Sequence, residues 1–333
     1  MQDLKLENTG IYIDGDPVAR LDALQLPENK IIITDENIAA IYKDLTADAI
    51  IIPAGDSTKT LSTIYNIYDE MLQRSIDRDS FVIGFGGGVV TDIAGFVAST
   101  YMRGMRFGFL PTSLLAMIDA SIGGKNGVNF KHYKNIIGTI NQAEFVIVNP
   151  GFLATLPFDE YKSGMAEAIK HFLINDKKAF YNFAQNNTSY LNPSELSADF
   201  LKKQIEIKIS IVKKDLNEHG ERRKLNFGHS FGHAIEKISG IKHGYAVSTG
   251  MVIAAEVSRQ LGYLSQNDVD DIKNVLADTG LPVKTDIPNS ELIETIYKDK
   301  KKSGEDIYFV ALEEIGKAKI IKMKISELAK LVD

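Results

Sequence analysis

From Lys30 to Asn149 the chain keeps returning to one pattern: a short apolar run, a turn, then apolar residues at helical spacing. "KIIITDENIAAIY" reads as a buried strand, a turn at Asp35 and Asn37, and a helix. "SFVIGFGGGVVTDIAGFVAST" gives strand, glycine turn and helix; "RFGFLPTSLLAMIDA" repeats this with Pro111 as the break; "EFVIVNP" is another short strand. Residues 61–74 place Leu61, Ile64, Ile67, Tyr68, Met71 and Leu72 at helical spacing. Such alternation restricts this half to a largely parallel sheet with covering helices.

After Pro150 the pattern changes. "FDEYKSGMAEAIKHFLIN", "SELSADFLKKQIEIKISIVKKDL" and "AVSTGMVIAAEVSRQLG" carry apolar residues at helical spacing, and only "DIYFVAL" and "KAKIIKM" read as a strand pair. The expected fold class is therefore α/β: an N-terminal Rossmann-like α/β domain over residues 1–150 and a mainly α-helical C-terminal domain over 151–333. At 333 residues each domain can bury a core of its own.

Composition narrows the chemistry. A formal charge of −6 gives no basic face for nucleic acid, and basic groups converging on a pocket would stand out against it. There is no cysteine, so disulfides, thiolate metal sites and thiol nucleophiles are excluded; a metal would need histidine and carboxylate ligands. No stretch approaches the roughly 18 apolar residues of a membrane span. "MQDLKLENTG" lacks the apolar core of a signal peptide, so a cytoplasmic location is expected.

Several stretches carry candidate chemistry. "GFGGGVVTD" follows a strand and opens a helix, where glycines admit a phosphate to free N–H groups at a helix N-terminus. It departs from the standard dinucleotide fingerprint; nucleotide binding is the favoured reading, and a tight βα turn the plain alternative. Asp56 and Lys59 in "PAGDSTKT" could reach a ribose or phosphate, or simply start a helix. "AMIDASIGGKNGVN" and "YKNIIGT" bring Asp119, Lys125, Lys134 and Asn135 into a charged cluster; a solvated loop is the plain alternative. "NFGHSFGHAIE" sets His229 and His233 one helical turn apart, with His243 downstream. Either pair could share a cation with a carboxylate such as Glu167, or the histidines could be satisfied polar groups of the core. If a helix extends back through "ERRKLN", Arg222, Asn226 and His229 share a face suited to a substrate carboxylate. Lys170 shares a face with Glu167, as an ion pair or as part of that pocket.

Taken together, in order and spacing, "GGGVVTDIAGFVAST", "PTSLLAMIDASIGGKNGVN", "KNIIGT", "GMAEAIKH" and "KLNFGHSFGHAIE" resemble the 3-dehydroquinate synthases, from about Asp35 to about Lys301. The resemblance implies a homodimer holding NAD and a divalent metal, normally Zn2+ with Co2+ an alternative. Its substrate is a sugar-acid phosphate, 3-deoxy-D-arabino-heptulosonate 7-phosphate, with neither nucleic acid nor membrane as partner. It assigns the metal to Glu167, His229 and His243, leaving His233 to the substrate phosphate and proton handling. It assigns NAD to Asp35, Asn37, Asp56, Lys59, Gly87, Gly88, Val89, Val90, Thr91, Asp92, Thr112, Ser113, Lys134, Phe152, Leu153, Ala154 and Thr155. Asp119 and Lys125 fall where cofactor and substrate meet. Asn135 and Lys125 match phosphate contacts, and Lys170 matches a substrate-binding lysine beside the metal. Lys208, Arg222 and Asn226 match the carboxylate side. Arg103 matches a residue offered to the phosphate across the dimer, and Lys300 or Lys301 a lysine that closes over it. Where the family commonly has Gly before the aspartate of the glycine turn, this chain has Thr91. It has Thr112-Ser113 for Thr-Thr, Tyr245 for Glu, and Asp56 for Glu.

Overall fold

The apolar runs of the first half become neighbouring strands of one sheet in a computed structural model, which describes residues 2–13, 15–131, 133–300 and 305–332. The strands are β1 (Gln2–Leu6), β2 (Thr9–Ile13), β3 (Lys30–Asp35), β4 (Ile50–Ile52), β5 (Phe81–Gly86), β6 (Arg106–Pro111), β7 (Lys125–Phe130), β8 (Tyr133–Ile140) and β9 (Phe145–Val148). Seven of them form a sheet in the order β1-β2-β9-β6-β5-β3-β4. Every pairing from β2 to β4 is parallel, and β1 closes one edge antiparallel to β2. β5 and β9 are buried at every position, because helices cover both faces of a parallel sheet. The edge hairpin β1–β2 and the separate antiparallel hairpin β7–β8 interrupt the βα repeat and were not legible as strands.

The helices of this half are α1 (Pro17–Ala23), α2 (Glu36–Ile41), α3 (Leu61–Gln73) and α4 (Gly88–Thr100). The stretch after Pro111 forms only a π-helical turn over Ala116–Ala120 in place of a long helix. β3 leads to β4 on one side, whereas β5 and then β6 follow on the other side of β3. The strand order thus reverses between β3 and β5, and the crevice at the carboxyl ends of such a pair is where ligands bind in open α/β sheets.

The remaining elements are mainly helical: α5 (Phe158–Asn175), α6 (Lys177–Gln185), α7 (Ala198–Val212), α8 (His229–Ser239), α9 (His243–Gln260), α10 (Gln266–Asp278), α11 (Asn289–Lys300) and α12 (Ile325–Val332). One antiparallel hairpin, β10 (Asp306–Glu314) with β11 (Lys317–Lys324), lies where the strand pair was expected. The chain divides into two compact units, Met1–Leu156 with Leu196–Ile209, and Pro157–Glu195 with Ser210–Asp333. In the second unit α9 packs against both α5 and α8. Gly250 on α9 makes the α8 approach close: a Cβ there would lie 2.1 Å from the Gly228 carbonyl oxygen. Among the described residues no helix is long and apolar enough to cross a membrane.

Candidate active site and metal centre

The first unit gathers most of its candidate residues at one end of the sheet, whereas Arg103 precedes β6 and falls at the other. Asp35 ends β3 and caps α2, accepting hydrogen bonds from the N–H groups of Asn37 and Ile38 at 3.0 Å each. Asp56 follows β4, Gly87 and Gly88 follow β5, Thr112 and Ser113 follow β6, and Phe152–Thr155 follow β9. All of these are carboxyl ends of parallel strands flanking the point where the strand order reverses. Gly87 is the N-cap of α4 and offers no side-chain cap, so the first N–H groups of that helix stay open to an anion. Thr91, the departure from glycine, turns its hydroxyl back to the Gly88 carbonyl at 3.1 Å and is buried. Val90, Phe152 and Leu153 are also buried, so main-chain groups are what these positions can offer a ligand. Ala154 and Thr155 are exposed, and Thr155 Oγ1 lies 3.1 Å from the Tyr42 hydroxyl.

Beside the turn stands a charged network. Lys59, only 5% exposed, donates to both Asp92 and Asn135. Desolvation pushes the Asp92 carboxyl above its ordinary range, although Lys59 opposes this. Lys134 pairs with Asp56 at 3.2 Å. Asp119, in the π-helical turn, is paired with Lys208, which is largely buried on α7. Lys125 opens β7 and is exposed. Arg103 is exposed and sits with φ +67° beside Met102 at +48°, two successive left-handed residues before Gly104 at +117°.

The second unit holds the histidines, and here geometry settles what spacing left open. Glu167 on α5 and Lys170 one turn later are both fully buried, and Lys170 donates to Glu167 Oε2. The other oxygen, Oε1, makes no hydrogen bond. It lies 3.6 Å from Nε2 of His229 at the start of α8 and 3.5 Å from Nε2 of His243 at the start of α9. All three donor atoms fall within 4.8 Å of one another. A tetrahedral cation with bonds of about 2.0–2.1 Å spaces its ligand atoms by roughly 3.3–3.5 Å, so the set fits a divalent metal. Both imidazoles are aimed by their other nitrogen: Nδ1 of His229 lies 3.2 Å from the Phe227 carbonyl, and Nδ1 of His243 lies 3.3 Å from Glu236. His233 stays outside this set: it is exposed, with its ring 5.3 Å from that of His229.

The charges follow the geometry. Burial works against a charged Glu167, but Lys170 and the two histidines hold its carboxyl well below the usual range. Burial and then the Lys170 charge push His229 well below its ordinary value. Burial pulls the same way on His243, yet Glu167 and Glu236 outweigh it and raise the imidazole to about 9. The two histidines diverge because burial and the Lys170 ammonium prevail at His229, whereas His243 has a second carboxylate, Glu236, beside it.

The helix expected to carry Arg222, Asn226 and His229 on one face is not continuous. A 3-10 segment over Glu221–Asn226 ends at Phe227, Gly228 turns left-handed at φ +79°, and α8 begins only at His229. A Cβ at Gly228 would lie 2.5 Å from Met251, so the break lets the chain pass against α9. Arg222 is buried, with its guanidinium donating to the Leu216 carbonyl at 2.6 Å, and Asn226 donates to Glu218 at 2.6 Å. Asp215 gathers the loop by accepting from the N–H groups of His219, Gly220 and Arg222. Glu236, against the His243 ring, is a group that the sequence reading did not single out. Lys301 lies outside the described residues; Lys300 is the last residue of α11.

Solved structures of other proteins share this fold. The structure of ValA, a 2-epi-5-epi-valiolone synthase from Streptomyces hygroscopicus with NAD+ and Zn2+ bound, is similar over 100% of this chain and 97% of that one, with a TM-score of 0.89 and 26% identity. A probable glycerol dehydrogenase from Sinorhizobium meliloti shares the fold at a TM-score of 0.67 and 14% identity, covering 98% and 95% of the two chains. The fold is thus shared with a valiolone synthase and with a probable glycerol dehydrogenase. Sequence divides the two. Residues 49–163 match the 3-dehydroquinate synthase N-terminal family and residues 164–302 its C-terminal counterpart. A 3-dehydroquinate synthase from Pyrococcus abyssi is 44% identical, covering 81% of this chain and 80% of its own length. One from Thermoanaerobacter pseudethanolicus is 38% identical over 99% and 98%. The chain belongs to the 3-dehydroquinate synthase family.

Proposed function

We propose that the chain is a carbon–oxygen lyase that converts 3-deoxy-D-arabino-heptulosonate 7-phosphate to 3-dehydroquinate and phosphate, a step of the shikimate pathway. The observation that carries this reading is the convergence of Glu167, His229 and His243 in a chain that matches the family over residues 49–302. The NAD+ and Zn2+ of the valiolone synthase structure support the same two groups here, and the family resemblance allows Co2+ as an alternative metal. Bound NAD supplies reversible removal and return of a hydride, and a divalent cation supplies Lewis acidity toward the substrate hydroxyls. Residues 1–150 would supply most of the dinucleotide contacts, and residues 151–333 the metal ligands.

The chain's own residues then have three tasks. Asp35, Asn37, Asp56, Gly87, Gly88 and their neighbours at the sheet's carboxyl ends hold the dinucleotide. Lys170, Arg222 and Asn226 orient the hydroxyl and carboxylate end, a fork and an amide matching a planar anion. The family resemblance assigns Lys125, Asn135, His233 and a lysine at 300 or 301 to the phosphate, with Arg103 supplied by the partner of a homodimer. Phosphate leaves by β-elimination, and cations placed around a departing dianion stabilise that charge as it develops. The leaving phosphate can itself accept the neighbouring proton, so the pocket needs positive charge more than a strong base. A single site fixing both ends of the substrate can serve the later ring closure as well. A cytoplasmic location agrees with a biosynthetic role.

Incubating purified protein with the heptulosonate phosphate, Zn2+ and substoichiometric NAD tests the proposal. Phosphate and the cyclic product should form many times over per NAD. Steady accumulation of NADH with a polyol, and no phosphate, would instead support a dehydrogenase.

A further inference from the structure

The hairpin β7–β8 is irregular at one place. Between the pairs Val128↔Ile137 and Phe130↔Tyr133, a single residue, Asn129, stands opposite three: Lys134, Asn135 and Ile136. Such bulges leave ladder groups unpaired and re-aim side chains. Here the bulge carries Lys134 and Asn135, and Asn135 takes the left-handed φ of +52° that asparagine tolerates best among residues other than glycine.

Asn129 supplies what the bulge leaves unmade. Its Oδ1 accepts the Asn135 N–H at 3.0 Å. Its Nδ2 donates to the Asp56 carboxylate at 3.2 Å, and its own N–H donates to the Lys59 carbonyl at 2.8 Å. Across the same junction Lys134 pairs with Asp56, and Lys59 donates to Asn135. One amide therefore joins the turn after β4 to the bulge, using its acceptor on one side and its donor on the other.

We propose that Asn129 is a positioning residue: its carbonyl holds Asn135 in place for the substrate phosphate, and its amino group holds Asp56 for the dinucleotide. This rests on the proposed function for the identity of both ligands. The two halves of the amide make the proposal separable. Asn129→Ala removes both contacts. Asn129→Asp keeps an acceptor for the Asn135 N–H but sets an oxygen against the Asp56 carboxylate.

The test measures NAD affinity by calorimetry, KM and kcat for the heptulosonate phosphate, and the thermal midpoint, for wild type and both variants. Leaving a positioning hydrogen bond unmade predicts a loss on the order of tenfold in each affinity it serves. Asn129→Ala should weaken NAD and raise the substrate KM. Asn129→Asp should weaken NAD while keeping the substrate KM close to wild type. Two variants that behave alike, or affinities that stay at wild-type values while only the midpoint falls, would overturn the assignment. Wild-type protein that binds NAD yet releases no phosphate would count against the proposed reaction instead, and the calorimetric comparison of the two variants would still decide the Asp56 arm.

Discussion

Glu167 Oε1 is a buried carboxylate oxygen with two imidazole nitrogens at 3.5 and 3.6 Å and no hydrogen bond of its own. An acceptor left in that state costs about 1–3 kcal/mol or more, which a cation bound there would offset. Around it each histidine has its outer nitrogen tied, His229 to a main-chain carbonyl and His243 to Glu236. Glu236 is not one of the three converging donors, yet it lies 3.3 Å from Nδ1 of His243, which is. Glu236→Gln should lower Zn2+ affinity by about 10–100-fold, the usual cost of losing such an outer partner. Competition against a chromophoric chelator measures it, and an unchanged affinity would remove the orienting role. At this scale the sequence offered the histidines but could not rank them: His229 and His233 share a helical turn, and only the position of α5 shows that the first reaches Glu167 and the second does not.

Elements set where these residues stand. The glycine turn shows how two adjacent glycines can answer different demands. A Cβ on Gly86 would lie 2.6 Å from Val90, inside the close packing of β5 on α4. A Cβ on Gly87 would find its nearest neighbour, Ser113 Oγ, at an ordinary 3.4 Å, and Gly87 already has a backbone conformation that alanine accepts. Gly86→Ala should therefore destabilise the protein by about 1–3 kcal/mol through overpacking. Gly87→Ala should leave the urea midpoint near wild type and weaken NAD, because the added methyl stands where a pyrophosphate approaches the helix N-terminus. Equal loss of stability in both would undo the distinction. The βα alternation was legible because strand and helix periods differ so sharply. The break at Gly228 was not, since "ERRKLNFGHSFGHAIE" keeps helical spacing across it and only the closeness of α9 requires the turn.

For the whole molecule, metal and fold should be linked. A structural or catalytic cation that binds the native state and not the unfolded one raises stability by mass action. Exhaustive chelation should abolish phosphate release and lower the thermal midpoint, and Zn2+ or Co2+ should restore both. A midpoint indifferent to chelation would mean that the triad holds no tight metal. What the sequence by itself determined was the class of each half, the absence of any thiol chemistry, and a list of polar residues in a recognisable order. Periodicity and composition are local properties, and they survive without a fold. What only the tertiary structure decided was which of those residues meet. It brought Glu167 to two histidines from different helices and paired Asp119 with Lys208 from α7. It also hung Asn135 on an asparagine across a bulge. Those meetings depend on how packed helices and strand register carry distant residues to a common point, and no spacing along the chain encodes that distance.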